Sequence, residues 1–180
     1  MSEDLRAEIE HLKAENAANV PQDALAILAG GPLYWFRDWP NPAVPQFGAG
    51  VYTVWDSEDR FIYVGMSGRG ITSKTVPRNS RQGLHTRLHS HFGGRRSGDQ
   101  FCVYVGDRLI LPNLSQADIA EISRGRHQMD SHIRSYIHAN LGYRFVMVPD
   151  ARTALDIEKT IRSGAWLEDK PLLNPLTSKS

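Results

Sequence analysis

Two runs of strand-forming residues lie on either side of a short charged stretch. The runs are 51–55 and 61–64, and the stretch between them, 56–60, is rich in turn formers. This arrangement predicts a β-hairpin. Because side chains alternate between the two faces of a strand, Tyr52 and Tyr63 can be presented together from neighbouring strands.

Helical spacing of apolar residues predicts several amphipathic helices. Leucines and a phenylalanine at three- and four-residue intervals predict a helix over 84–92. A second helix is predicted over 154–161, with Asp150 able to cap its first turn. Near the amino terminus the pattern predicts helices over 3–16 and 22–29. The first of these is expected to pack on the core or on a second copy of itself.

The stretch 93–141 has the character of an insertion made of a strand and two helices. Its predicted elements are a strand over 101–105, a turn at Asp107–Arg108, a helix that Ser115 caps and, after Gly125, a helix that carries Met129 and that Gly142 stops. A last core strand follows over 143–148. The chain as a whole is predicted to be α+β, with a small antiparallel sheet flanked by helices.

Four aromatic residues lie between turn formers in the segment 33–42. Such a cluster can cover the edge of a core or stack on nucleic-acid bases, and we favour the first interpretation. We therefore divide the chain into a helical and aromatic extension over 1–46 and a main domain over 47–180.

Composition narrows the class of protein. The chain has 180 residues, of which 41% are hydrophobic and 23% charged, as in an ordinary globular domain with a real core. It lacks an apolar stretch long enough to cross a membrane, and its acidic start is unlike a secretory signal. The single Cys102 cannot form an intramolecular disulfide. A cytoplasmic location is expected, with no membrane partner.

Positive charge is concentrated in one part of the chain, although the net charge is only +1. Residues 60–96 contain no acidic residue, whereas residues 1–23 carry a net charge of −4. The basic residues are Arg60, Arg69, Lys74, Arg78, Arg81, Arg87, Arg95 and Arg96. Such a segment is typical of proteins that contact the phosphodiester backbone, and the alternative is a solvated arginine-rich loop.

Four elements in a fixed order, a hairpin with two tripeptides and three later elements, carry a family resemblance. The tripeptides Gly50-Val51-Tyr52 and Tyr63-Val64-Gly65 are ten residues apart, and Arg87-Leu88-His89-Ser90-His91 follows on the next helix. Glu158 lies on a later helix, and Pro171-Leu172-Leu173-Asn174 comes after it. This order resembles the GIY-YIG nuclease family over about 125 residues.

The resemblance implies a GIY-YIG-like fold and an endonuclease that hydrolyses phosphodiester bonds with Mg²⁺ or Mn²⁺. DNA is the favoured substrate, and restriction is the favoured biological setting. Tyr52 is then expected to activate water and Tyr63 to bind substrate or support Tyr52. Arg87 is expected to bind phosphate and Glu158 to bind the metal ion. His91 could contact phosphate or assist proton transfer, and a purely structural histidine is an equal alternative.

Further residues are assigned to binding or structure. The expected substrate contacts are Ser67, Arg69, Lys74, Arg78, Arg81, Arg95 and Arg96. Gly50, Gly65 and Asn174 are expected to be structural. The chain departs from the family where Met66 replaces a lysine that many members have after the second tripeptide.

Three alternatives remain open from the sequence. The domain could bind nucleic acid or a protein partner without turnover. A homodimer could form through residues 1–16, because cutting both strands needs two sites. His85, His89 and His91 could hold zinc, but no carboxylate or cysteine near them completes a ligand set.

Overall fold

The computed structural model describes residues 22–72, 74–75, 81–164 and 170–174. The predicted helix over 3–16, with the dimer hypothesis that depends on it, lies outside these residues. Arg78 also lies outside them.

A small sheet, antiparallel except for one short pair, forms the centre of the molecule. Its strands are β1 (Tyr34–Trp35), β2 (Phe47–Asp56), β3 (Phe61–Ser67), β4 (Gln82–Gly83) and β5 (Leu141–Val148). The main order is β1-β5-β2-β3, and the short β4 pairs in parallel with the start of β2. The predicted hairpin is confirmed as the β2–β3 pair, in which Tyr52 lies opposite Gly65 and Val54 opposite Tyr63.

Helices cover both faces of this sheet. They are α1 (Gln22–Gly30), α2 (Leu84–Gly93), α3 (Gln100–Val105), α4 (Gln116–Ser123), α5 (Met129–Asn140) and α6 (Ala151–Arg162). The predicted α+β class with a small antiparallel sheet flanked by helices is confirmed. Of the helices within the described ranges, none has the length and apolar character needed to cross a membrane.

Strand β2 is buried on both faces because a separate apolar cluster packs on each. Val51 and Trp55 point to a cluster that contains α1 and α6 residues. Tyr52 and Val54 point to the opposite cluster, which includes residues of α2, α3 and α5. A strand held in this way fixes its side chains firmly. The central position of β2 therefore gives Tyr52 one defined orientation.

The predicted strand over 101–105 is wrong, because these residues form helix α3. The turn predicted at Asp107–Arg108 is also wrong, since the helical path continues as a π-helical turn over Gly106–Ile110 and a 3₁₀ turn over Leu111–Asn113. A short apolar run can be a strand or a buried helix, and here the Asp99 side chain caps a helix by accepting from the amide of Phe101. The inserted segment is consequently helical throughout its described elements.

Capping residues elsewhere act as predicted. Ser115 and Asp118 form a reciprocal capping box at the start of α4. The carboxylate of Asp150 accepts from the amide of Thr153 at 2.8 Å and begins α6. Gly142, however, does not stop α5, which ends at Asn140, because this glycine lies inside β5. A Cβ there would approach Leu33 Cγ to 2.9 Å, so the glycine permits close packing of the chain before β1.

The aromatic segment covers the core, as favoured from the sequence. Phe36 and Trp39 are buried, and the Phe36 and Tyr143 rings lie 4.9 Å apart. Residues of the predicted extension also supply α1 and β1, which pack on the same sheet. The boundary drawn at residue 46 stays a prediction.

Candidate active site

A cleft of about 310 Å³ lies along the edge strand β3. It is lined by Tyr52, Tyr63, Gly65, Met66, Ser67, Gly68, Arg69, Arg87, His91, Asp99, Gln100, Phe101 and Glu158. Helix α2 and the start of α3 contribute from one face of the sheet, and α6 contributes from the other. All five residues assigned a catalytic part from the sequence therefore line one cleft.

Tyr52 is held at the base of this cleft by contacts on several sides. Its side chain is only 1% exposed, and its ring centroid lies 6.2 Å from that of Tyr63. The hydroxyl oxygen of Tyr52 lies 2.6 Å from Nε2 of His91, at hydrogen-bond distance. Gly65 provides the space for this hydroxyl, because a Cβ at position 65 would collide with it.

The hydrogen-bond chain continues from His91 to Asp99. The distance from Nδ1 of His91 to a carboxylate oxygen of Asp99 is 2.6 Å, and both side chains are almost completely buried. Asp99 also accepts from the hydroxyl of Ser90 at 2.8 Å and from the amide of Phe101 at 3.1 Å. Burial alone would raise the pKa of the Asp99 carboxyl, but its hydrogen bonds with His91 and Ser90 hold that pKa below the usual range.

Both tyrosine hydroxyls are neutral at physiological pH. Burial raises the pKa of Tyr52 well above its ordinary value, and the nearby Tyr63 adds to this increase while Arg87 opposes it. Burial raises the pKa of Tyr63 to about 12. A buried phenolate is therefore disfavoured, and Tyr52 can accept a proton from water only if its own proton moves to His91.

Glu158 projects into the cleft from α6 and is 14% exposed through its side chain. Burial raises the pKa of this carboxyl, and the guanidinium groups of Arg162 and Arg69 oppose the increase. One Arg162 nitrogen lies 3.8 Å from a Glu158 oxygen. A half-buried carboxylate beside open space fits Mg²⁺, which takes one or two carboxylates and keeps water and phosphate oxygens as its other ligands.

Two arginines and one serine make the cleft suitable for a phosphate group. Arg87 and Arg69 are exposed and line the cleft, whereas Ser67 is buried at its wall. Guanidinium groups bind phosphate oxygens in a forked geometry. Of the predicted substrate contacts, Ser67 and Arg69 are the two that line the cleft, and they lie there with Arg87 from the predicted catalytic set.

The other predicted substrate contacts within the described residues lie outside the cleft lining. Lys74, Arg81, Arg95 and Arg96 are exposed. The Nε of Arg96 lies 3.0 Å from an oxygen of Asp130, so its charge is partly neutralised. These residues can contact only parts of a substrate that extend beyond the cleft.

Gly50 and Asn174, which were predicted to be structural, make close contacts with neighbouring strands. A Cβ at Gly50 would approach the carbonyl oxygen of Val146 to 2.7 Å. The amide side chain of Asn174 accepts from the backbone N–H of Val64 at 2.8 Å and donates to its carbonyl at 2.9 Å. The terminal segment thereby covers part of the β3 edge.

Sequence analysis missed the cleft residues at the start of α3, which are Asp99, Gln100 and Phe101. The strand predicted over 101–105 left no helix start at Asp99. The available signal was Gly98-Asp99, a glycine and a capping carboxylate directly before an apolar run.

Ligand atoms of His91, Asp99 and Cys102 lie within 4.8 Å of one another and could in principle meet a metal ion. However, the ring nitrogens of His91 already face Tyr52 and Asp99. Burial also raises the pKa of the Cys102 thiol, and this disfavours the thiolate form that binds metals. In the part of the chain that the structure describes, neither His85 nor His89 joins a group of three ligands. Nδ1 of His89 instead accepts from Trp39 Nε1 at 3.1 Å.

Comparison of the chain with protein-family models, curated proteins and solved structures found no match. Functional inference therefore depends on the motif residues and on the geometry of the cleft.

Proposed function

We propose that the protein is a Mg²⁺-dependent endonuclease of the GIY-YIG kind that cuts DNA. The observation that carries this proposal is the convergence of Tyr52, Tyr63, Arg87, His91 and Glu158 on one cleft. They come from four different elements, and their order in the sequence is the order of the family motifs. Chance placement of five motif residues around one open space is a poor alternative.

The cleft residues suit an in-line attack of water on phosphorus. Arg87 and Arg69 bind the phosphate oxygens and stabilise the charge that develops on them. As the water oxygen forms its bond to phosphorus, one water proton passes to the Tyr52 oxygen, and the Tyr52 proton passes to Nε2 of His91. The bond from phosphorus to the leaving oxygen breaks, and that oxygen takes a proton from solvent.

Glu158 is the side chain that would hold the divalent ion, with Mn²⁺ as the expected substitute for Mg²⁺. When bound, the ion would supply Lewis-acid stabilisation of the charged phosphoryl group. Tyr63 lies beside Tyr52 and is neutral, so it can donate a hydrogen bond to a phosphate oxygen.

The direct test incubates the purified full chain with supercoiled, linear duplex, branched and single-stranded DNA, and with RNA, in Mg²⁺ or in chelator. We expect the parent chain to cleave DNA in Mg²⁺. We expect both chelator and the Arg87→Ala substitution to abolish this cleavage. Binding of DNA without cleavage of any substrate would support a non-catalytic binding domain instead. Cleavage that methylation of the DNA prevents would support a restriction role.

A further inference from the structure

The other hydrogen-bond partners of Asp99 determine whether its carboxyl group accepts a hydrogen bond from His91 or donates one to it. One of its oxygens accepts from the Ser90 hydroxyl, and the other accepts from the amide of Phe101. The Asp99 side chain is 1% exposed, and its carboxyl group is held by these bonds as the N-cap of α3. Since its pKa lies below the usual range, the group is an ionised carboxylate that can only accept hydrogen bonds.

The short contact between Asp99 and His91 therefore requires a proton on Nδ1 of the imidazole. In neutral histidine only one ring nitrogen carries a proton, so Nε2 then has a free lone pair. The Tyr52 hydroxyl lies 2.6 Å from this nitrogen and must donate its proton toward it. The three groups form one directed chain, from the Tyr52 hydroxyl through the His91 ring to the Asp99 carboxylate.

We infer that Asp99 is a positioning residue, which fixes the His91 tautomer so that Nε2 can take the Tyr52 proton. This inference rests on the proposed function, because that proton transfer is useful only if Tyr52 receives a proton from water. The buried Asp99 carboxylate also stabilises the imidazolium that forms at His91 after the transfer. With the other tautomer, Nε2 would already carry a proton, and Tyr52 could not release its own.

The same tautomer argues against a metal ion at His91, Asp99 and Cys102. A protonated Nδ1 cannot be a ligand, and Nε2 is directed at Tyr52. The cluster is therefore a proton pathway that leads away from the cleft.

The first experiment determines the His91 tautomer in the full chain by a measurement that does not depend on DNA cleavage. Protein labelled with ¹⁵N-histidine is studied by two-dimensional ¹H–¹⁵N spectroscopy at a pH where histidines are neutral, and His91→Gln assigns the His91 signals. The parent should show a protonated Nδ1 and an unprotonated Nε2. Asp99→Asn should convert most of the population to the Nε2-protonated form, because the asparagine amide can donate to Nδ1. Asparagine also caps helices well, so α3 should remain folded.

Cleavage is then measured on the same variants. Asp99→Asn should lower kcat by roughly 10³- to 10⁴-fold and leave KM nearly unchanged, by analogy with loss of the aspartate of a catalytic triad. Ser90→Ala is the matched control: it removes a second hydrogen bond to the Asp99 oxygen that contacts His91 but keeps the carboxylate, so the tautomer should stay as in the parent. Unfolding curves of each variant show whether a loss of turnover comes from a loss of stability.

The outcomes distinguish a failure of the Asp99 assignment from a failure of the proposed nuclease function. An Nε2-protonated His91 in the parent would overturn the assignment to Asp99. A tautomer change in Asp99→Asn with full turnover would overturn it as well. A parent that shows the assigned tautomer but cuts no nucleic acid would overturn the proposed function and support the hydrogen-bond chain.

Discussion

Gly65 lies directly opposite Tyr52 across the β2–β3 pair, and a Cβ at position 65 would collide with the Tyr52 hydroxyl. The glycine of the second tripeptide therefore makes room for the tyrosine of the first. This relationship explains physically why a tyrosine and a glycine at this spacing belong together.

Gly65→Ala should push the Tyr52 hydroxyl away from Nε2 of His91. We expect cleavage to fall at least about 10-fold, and overpacking should cost about 1–3 kcal/mol of unfolding free energy. Cleavage rates and urea unfolding measure the two effects. Gly30→Ala is the control, because a Cβ there meets no atom within 4 Å. Full activity of Gly65→Ala would show that the Tyr52 position is unimportant for turnover.

The sequence predicted the hairpin correctly because a hairpin depends on local pattern, whereas the expected catalytic residues came from the family resemblance and their roles stay predictions. Alternation placed Tyr52 and Tyr63 on one face, and helical spacing placed Arg87 and His91 one turn apart. Both relationships follow from the geometry of a single strand pair or a single helix.

The contact of Asp99 with His91 could not be predicted from local pattern. Its approach to His91 depends on a chain reversal between α2 and α3, in which Gly94 and Gly98 have φ angles of 67° and 79°. The apolar run after Asp99 has high strand propensity, and burial in the core overrides that propensity. The near-complete burial of Tyr52 likewise depends on packing between distant elements.

Asp56 stabilises the hairpin turn through its charge. Its carboxylate accepts from the amides of Glu58 and Arg60 and from the Arg60 side chain. Burial would raise the pKa of Asp56, but these hydrogen bonds lower it from its ordinary value of 3.8. Because the folded pKa is depressed, this stability is present above about pH 4 and is lost as pH falls through the folded pKa.

Asp56→Asn should therefore lower the unfolding free energy by about 1–3 kcal/mol at pH 7. The difference from the parent should be smaller at about pH 3, because below about pH 4 the unfolded parent binds a proton at Asp56 more readily than the folded parent does. Urea unfolding at the two pH values measures this. Glu58→Gln, at an exposed side chain in the same turn, should change stability by less than about 0.5 kcal/mol. A difference that is independent of pH would contradict the charge argument.

Arg95 and Arg96 are adjacent and exposed but differ in their partners. Arg96 is paired with Asp130, whereas Arg95 has no acidic partner among the residues that the structure describes. Arg95→Ala should weaken DNA binding and lower the slope of log affinity against log salt by about 0.9, and Arg96→Ala should change the slope less. Binding titrations over a range of salt concentrations measure both slopes. Equal slopes for the two variants would count against the Arg95 contact.

Arg87 and Glu158 approach the cleft from opposite faces of the sheet and are proposed to serve the same phosphate. Each single alanine variant should lose turnover by a factor on the order of 100 or more while remaining folded, because Arg87 is exposed and Glu158 is only half-buried. Arg87→Ala should bind DNA weakly and stay poorly active at any Mg²⁺ concentration. Glu158→Ala should bind DNA almost normally and regain part of its activity at high Mg²⁺.

The double variant decides whether the two residues act as one unit. Groups that act together give effects far from additive, so the double variant should be little slower than the slower single variant. Single-turnover cleavage at saturating DNA measures the rates of the two single variants and the double variant. Arg152→Ala is the control and should cut at the parent rate, because Arg152 is exposed on the same helix as Glu158 but lies outside the cleft lining. Parent rates in both Arg87→Ala and Glu158→Ala would sink the assignment of this cleft as the active site, because among its described lining residues Glu158 is the only carboxylate outside the Tyr52–His91–Asp99 chain.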